Sequence, residues 1–396
     1  MNKKEFIREN CPDRHGTNCS KWDILPTKYG DPDLISMWVA DMDFKAPREV
    51  TEALRKKVDF GIYGYSLTPD SYYQSFIKWE KEQHGWEVRR DWIRFAPGVV
   101  TGIFWCMHML TKPGDAAIIN MPVYYPFHHA IEDIDRKLIY SELVNTGGTY
   151  TIDFGDFEKK IIDNDVKVFI LCSPHNPLGI VWTREELERM CHICIANNVL
   201  IVSDEIHSDL VFHGKKHIPT ATLSPEIAAH VISCISGTKT FNLAGLQASA
   251  TIFPNQELKA RFDKFWFNLD IHRNNAFSTI AMEVAFNEGE EWLEQLLGYI
   301  GGNFEFIKDY CAANIPQVKP NVPDATYLVW LDCRGLGMGN EELRDFMIRK
   351  AGLGLNEGWS FGRSLSGFMR LNAACPRPVL EKAMEQLKHA VDARNA

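Results

Sequence analysis

The chain has 396 residues, of which 45% are hydrophobic and 24% charged, and a formal net charge of −9 at pH 7. At roughly 100–200 residues per domain this length implies two or three domains, and the balance excludes a disordered or fibrous chain. The acidic excess gives no footing for nucleic acid or an anionic membrane surface, and no window approaches the ~18 uncharged apolar residues that a membrane helix needs.

In chain order, the first 45 residues are irregular and rich in Pro, Asp and Gly, with no apolar stretch behind Lys3 and Lys4, so no secretory leader is expected. From about 90 to 250, short β-rich runs alternate with helical stretches. WIRFA (92–96) predicts a strand, 99–111 a helix and DAAIINM (115–121) a second strand. KVFILC (167–172) is an unbroken apolar run of the kind buried on both faces of a parallel sheet. Thr183 with Glu186 forms a capping box that opens a helix. LIVSDEI (200–206) and HVISCIS (230–236) are two more buried strands, and the whole reads as βαβ units. The last third changes character: a long helical pattern at 292–314, expected to break near Gly301–Gly302, strands at 327–332 and 368–373, and a terminal amphipathic helix. The expected divisions are an N-terminal segment 1–45 packing on the small domain, a large domain 46–285 and a small domain 286–396.

Ten cysteines are scattered, several inside apolar runs, which reads as reduced thiols in a cytoplasmic protein. Cys191 and Cys194 form a CxxC without a second pair at metal-site spacing, so helix packing is favoured over zinc and no metal is expected.

Three polar loops follow consecutive expected strands: SPHNPLG with Asn176, SDEIH with Asp204 and His207, and SGTKTFNLAG with Ser236, Thr238 and Lys239. Ligands of open α/β sheets bind beyond the carboxyl ends of the strands, so the three loops predict one pocket. A lone lysine is usually a solvated charge, but one beside a buried strand deprotonates readily and becomes an imine-forming nucleophile. A carboxylate at the end of an apolar strand needs a cationic partner.

The order NPxG, then Asp204, then S-x-T-K resembles the fold-type-I pyridoxal-phosphate enzymes, the aspartate-aminotransferase superfamily. WVADMDF (38–44), YGYS (63–66), SDEIHSDL (203–210), KTFNLAGLQ (239–247) and RLNAACPR (370–377) narrow the likeness to the branch of cystathionine β-lyase-type C–S lyases. The resemblance implies an α/β fold of the aspartate-aminotransferase type: a mostly parallel central sheet with helices on both faces, plus a smaller α+β C-terminal domain. It implies pyridoxal 5′-phosphate as cofactor, with Lys239 bound to its aldehyde, Asp204 at the pyridine nitrogen, Asn176 at the phenolic oxygen and Tyr124 stacked on the ring, Tyr125 being the lesser choice. The phosphate would meet the helix start at Val99 and Val100 and the hydroxyls of Ser236 and Thr238. Tyr65, or else Tyr63, would reach the phosphate of a second subunit, making the active site a property of a homodimer. Arg370 would fork onto the substrate carboxylate, with the backbone at Ala40 beside it and Asn176 also within reach of the substrate; His207 is a further cofactor-side candidate. Gln247 stands where many transaminases carry a phosphate-binding arginine, as it does in the lyase-like branch.

The activity implied is α,β-elimination from cystathionine, cysteine or other S-substituted cysteines, giving a thiol, pyruvate and ammonia, with Lys239, Asp204 and Tyr124 as the reacting groups. An aminotransferase would use the same residues, and a regulatory binding protein that keeps the fold and contacts a protein partner is a third reading. Trp38, Phe241 and Trp359 are candidates to shape the substrate pocket.

Overall fold

The computed structural model describes residues 10–396 apart from His272 and Arg363, and only the backbone of Asn395. Residues 1–9 of the expected N-terminal segment lie outside the described residues. The chain forms two compact units: the segment up to Lys45 with Asn176–Gly179 and Glu294–Ala396, and Ala46–His175 with Ile180–Leu293.

The larger unit is built on an eight-stranded sheet. Its spatial order is Ile93–Ala96, Ser249–Ile252, Val231–Ile235, Leu200–Asp204, Val166–Cys172, Ala116–Met121, Lys137–Thr146 and Thr149–Ile152. The five strands from Val231–Ile235 to Lys137–Thr146 run parallel, and the three others pair antiparallel. The parallel core follows from composition: all six residues of Ala116–Met121 and six of the seven of Val166–Cys172 are buried, which suits strands covered on both faces. The hairpin Lys137–Thr146/Thr149–Ile152 instead alternates buried and exposed residues around Gly147 and Gly148, as an edge should. The helix Val99–Leu110 crosses the sheet closely: a Cβ on Gly102 would stand 2.9 Å from the Thr251 hydroxyl oxygen, so glycine is what permits the approach. The capping box of Thr183 and Glu186 is complete and opens Arg184–Ala196.

The smaller unit has a four-stranded antiparallel sheet in the order Lys319–Asn321, Leu328–Asp332, Phe368–Asn372, Asn356–Glu357. A two-stranded parallel pair, Ile35–Ser36 with Leu353–Gly354, ties the N-terminal segment to it.

One expectation is corrected. The helix Glu290–Asn314 runs unbroken through Gly301 and Gly302. Each glycine costs about 1 kcal/mol of helix propensity, but buried Ile300, Phe304 and Ile307 anchor both sides. Arg377 also bonds the Gly302 carbonyl and, at 2.9 Å, the Asn303 side chain. The larger compact unit runs on to Leu293, with Phe286 and Trp292 packed on Phe241. Asn176–Gly179 clusters with the smaller unit, an insertion the linear reading did not contain.

Candidate active site

Register fixes one edge of the large sheet. Cys172 lies opposite Asp204, and Asp204 opposite Cys234. The segments after these strands therefore leave the sheet side by side, and the Ser173 amide donates to the Asp204 carbonyl at 2.9 Å. Asp204 is buried and its carboxylate accepts from the Ile206 amide at 3.1 Å. Burial pushes the Asp204 carboxyl up to about 7; the Ile206 bond and the charge of nearby Lys239 work against that rise, and the Glu205 charge adds to it.

Lys239 sits half-buried in the single-turn helix Gly237–Thr240. Its neighbours Thr238 and Thr240 are buried. Ser236 caps the turn, accepting from the Thr238 amide at 3.1 Å. The Ser236 hydroxyl also donates to the Ala248 carbonyl at 2.5 Å and lies 2.8 Å from the Thr238 hydroxyl. With its hydrogen on that carbonyl, the Ser236 oxygen accepts from the Thr238 hydroxyl across the 2.8 Å contact. The Ser249 hydroxyl donates to the Ala96 carbonyl at 2.9 Å. That bond draws the end of the Ile93–Ala96 strand, and so the start of the next helix, toward the Ser236 turn. There Gly98 is the extended N-cap of Val99–Leu110 and no side chain caps the helix. The first amides of that helix, from Val99 and Val100 on, lack intrahelical partners and face outward with the positive end of the dipole.

Tyr124 follows the Ala116–Met121 strand at the same edge. It is half-buried against the core, with ring centroids 5.3 Å from Tyr125 and 6.0 Å from Phe127. His207 is buried in the turn after Asp204. Gln247 is exposed, with a left-handed φ of 52°.

The remaining expected residues gather in the smaller unit. Arg370 is 3% exposed and lies between Trp330 and Asn356 across the sheet. Its guanidinium donates to Asn176 Oδ1 at 3.1 Å, Asn356 Oδ1 at 2.6 Å and the Trp38 carbonyl at 2.9 Å, and stands 4.8 Å over the Phe361 ring. These acceptors are neutral, and they splay a fork suited to a carboxylate. Ala40 is half-buried; its carbonyl accepts from the Tyr327 hydroxyl at 2.8 Å, while Asn372 bonds the carbonyls of Val39 and Asp41 at 2.6 Å. Asn356, Phe361 and Tyr327 were not anticipated, and Asn372 only as part of the RLNAACPR motif: each acts on a backbone or a neighbour distant in sequence or set by the fold.

Phe241 is core, enclosed by Trp79, Phe286 and Trp292. Trp38 rests edge-on against Tyr29, and Trp359 is 41% exposed. The ten cysteines form no disulfide, Cys191 and Cys194 are buried, and no metal-binding cluster occurs among the described residues. A cavity of about 700 Å³ between Asn340–Arg349 and the C-terminal helix is lined by none of these site residues.

Tyr65 is 98% exposed, on the wall of a cavity of about 390 Å³ that also includes Phe60, Ile62 and Leu67. Tyr63 is engaged locally: its hydroxyl donates to the Val58 carbonyl at 3.2 Å and its ring lies 5.6 Å from Phe277.

A mixed sheet bearing an aspartate and a lysine at the carboxyl edge of its parallel strands, with a smaller α+β unit, defines the class of aspartate-aminotransferase-like α/β enzymes. The chain belongs to the aminotransferase class I and II family, whose model matches residues 32–387. It is 41% identical to cystathionine beta-lyase PatB of Bacillus subtilis (strain 168), over 96% of this chain and 98% of that protein. It is 31% identical to protein MalY of Escherichia coli (strain K12), over 96% of this chain and 97% of that one. Its fold matches that of cystalysin from Treponema denticola, crystallised with pyridoxal 5′-phosphate, with a TM-score of 0.94 and 35% identity over 97% of this chain and 98% of that chain.

Proposed function

We propose that this chain is a pyridoxal-phosphate-dependent C–S β-lyase, cleaving L-cystathionine, cysteine or related S-substituted cysteines to a thiol, pyruvate and ammonia. The observation that carries the reading is the buried Asp204 beside Lys239 at the edge of the parallel strands. A carboxyl held up to about 7 by burial is stabilised as an anion only when a cation meets it, and a pyridinium nitrogen is such a cation. The uncapped helix start at Val99 and Val100 fits a phosphate, which would also meet the Ser236–Thr238 turn. Likeness to a cystathionine β-lyase over nearly the full chain supports the same reaction.

Bound there, pyridoxal phosphate supplies an electron-withdrawing ring conjugated to the substrate α-carbon. The chain's residues do the rest. Asp204 holds the proton on the ring nitrogen. Asn176 donates to the phenolic oxygen, and Tyr124 covers the ring face. Arg370 takes the substrate α-carboxylate in its fork, near the backbone of Ala40. The Nζ of Lys239 removes the proton from Cα. The Cβ–S bond then breaks; a thiolate leaves readily because its conjugate acid has a pKa near ~8.5. Lys239 or Tyr124 delivers the proton to sulfur, and one water is consumed in releasing pyruvate and ammonia.

We infer that the working form is a homodimer. An exposed apolar stretch of Val58, Phe60, Ile62, Tyr63, Tyr65 and Leu67 supports it, since patches of that extent on a monomer usually mark an interface. In that assembly Tyr65, whose ring is solvated, is favoured over Tyr63 as the residue reaching the partner's phosphate. Ten free thiols favour a reducing compartment, and we place the enzyme in the cytoplasm.

The purified protein should absorb in the visible range, and Lys239→Ala should lose both the covalently held cofactor and turnover. A colourless wild type that takes up no cofactor would refute the reading.

A further inference from the structure

Behind the expected cofactor edge the larger unit holds a buried polar network that the reaction does not use. It consists of Glu80 and His84 on the helix Asp70–His84, and of Glu205, Asp209 and His217 in the segments after the Leu200–Asp204 strand. Asp209 accepts three bonds: from the Thr240 hydroxyl at 2.6 Å, from Trp79 Nε1 at 3.0 Å, and from His84 Nε2 at 2.8 Å. Glu205 pairs with His217 at 3.2 Å and accepts from the Thr220 amide and the Ser233 hydroxyl. The His84 and His217 rings meet edge-on at 5.5 Å, joining the two halves.

The network touches both ends of the chemistry. Glu205 is the residue after Asp204, and Thr240 the residue after Lys239. The turn carrying Lys239 is one turn long, and a helix that short is not stable by its own hydrogen bonds. Its entrance is held by Ser236. At its exit, Thr240 is the side chain that ties the turn to a charged group, and that group is braced on a 15-residue helix. Burial opposes the His84 imidazolium, yet the bond and charge of Asp209, with the charges of Glu80 and Glu205, hold it up to about 9. The same bonds hold the buried Asp209 carboxyl below its ordinary range.

We infer that the His84–Asp209 ion pair is a positioning element for Lys239, acting through the Thr240 hydroxyl to fix the direction in which the lysine amine meets the cofactor and the substrate α-carbon. Thr240 and Asp209 are positioning residues, and the pair is charged at neutral pH so that the short bond to Thr240 is charge-assisted. The inference rests on the cofactor reading given above.

The test uses the cofactor-loaded protein and Thr240→Val, a near-isosteric change that removes only the bond to Asp209. Three quantities are read: the pH midpoint of the bound cofactor's colour change, the rate of cofactor loss on dilution, and kcat and KM for L-cystathionine. The expected result is a displaced midpoint, faster cofactor loss, and kcat lower by about tenfold with KM within about twofold, as for one lost charge-assisted bond. Thr240→Ser should restore all three, and Asp209→Asn should reproduce the valine variant. A valine variant with a lower melting temperature but wild-type midpoint, cofactor retention and kcat would overturn the inference, making the pair a purely structural brace. Wild-type protein that takes up no pyridoxal phosphate would overturn the cofactor reading and this inference together.

Discussion

Arg370 donates to Asn176 at 3.1 Å across 194 residues of sequence, so the arginine expected to hold the substrate carboxylate also aims the asparagine expected at the cofactor's phenolic oxygen. On the proposed reading, that one hydrogen bond would link substrate grip to cofactor orientation. Arg370→Lys keeps the charge but not the fork, and cannot serve Asn176, Asn356 and Trp38 together. It should raise KM for L-cystathionine by roughly 30- to 150-fold, corresponding to about 2–3 kcal/mol of charge-assisted bonding, and should weaken cofactor retention as well. Steady-state kinetics alongside cofactor titration check both effects.

Asp204→Asn should preserve the fold, since the amide fits the same space and spares the buried site an unpaired charge. It cannot hold a proton on the ring nitrogen. Turnover should fall by at least about 10²-fold, within the range of acid–base contributions, with cofactor still attached through Lys239 and visible in the absorption spectrum.

The share of stability that Glu80 and His84 contribute should decline as pH rises from about 5 to 9, while buried His175 and His217, held below their ordinary range, act in the opposite sense below about 6.5. Burial pushes the Glu80 carboxyl from its ordinary 4.5 up to about 8, with the Asp209 and Glu205 charges adding and His84 opposing. His84 is held up from 6.5 to about 9 against its own burial, chiefly by Asp209. In both cases the folded state binds the proton more tightly than the unfolded chain. The contribution is therefore complete below the unfolded value and lost as pH passes the folded one: below ~4.5 and through about 8 for Glu80, below ~6.5 and through about 9 for His84. Each is worth on the order of a few kcal/mol. Asp209 and Glu205 carry lowered values and act only on the acid side. Glu80→Gln should shift the slope of melting temperature against pH upward between pH 5 and 8 relative to the wild type; an unchanged slope would contradict it.

The segment bearing Trp38 and Ala40 should depend on a fully buried lysine. Lys21 is 0% exposed and pairs with Asp43 at 2.7 Å, while Asp43 also accepts from Arg14 at 2.8 Å and Trp22 at 3.1 Å. Asp43→Asn leaves the buried Lys21 only the Asp41 carboxylate at 3.8 Å and the Asp41 carbonyl at 3.3 Å, and should cost up to about 3–5 kcal/mol, the usual penalty for breaking one side of a buried pair. Denaturant unfolding measures it directly.

Much of this was legible in the sequence, for reasons that differ by element. The strands Val166–Cys172 and Val231–Ile235 are apolar runs, which only burial on both faces explains. Lys239, Asp204 and Asn176 stand at or just after strand ends, in motifs whose residue types and order carry the resemblance, and the structure sets Lys239 and Asp204 at one sheet edge and Asn176 on Arg370. The hairpin from Lys137 escaped because an alternating edge strand of mixed polarity gives a weak signal. Gly301 and Gly302 misled because local propensity was outweighed by packing on both sides of them. Asn356 and Phe361 could not be read, since one meets Arg370 across the strand register and the other from a turn that only the fold brings under it. Asp209 lay inside the SDEIHSDL motif, yet its partners His84 and Thr240 are distant in sequence.

The most direct test of the central claim offers L-cystathionine to the purified, cofactor-loaded protein with no keto acid present. The account predicts that pyruvate, ammonia and thiol accumulate in equal amounts, and that Lys239→Ala releases none. No release under these conditions, with amino transfer beginning only when 2-oxoglutarate is added, would contradict it.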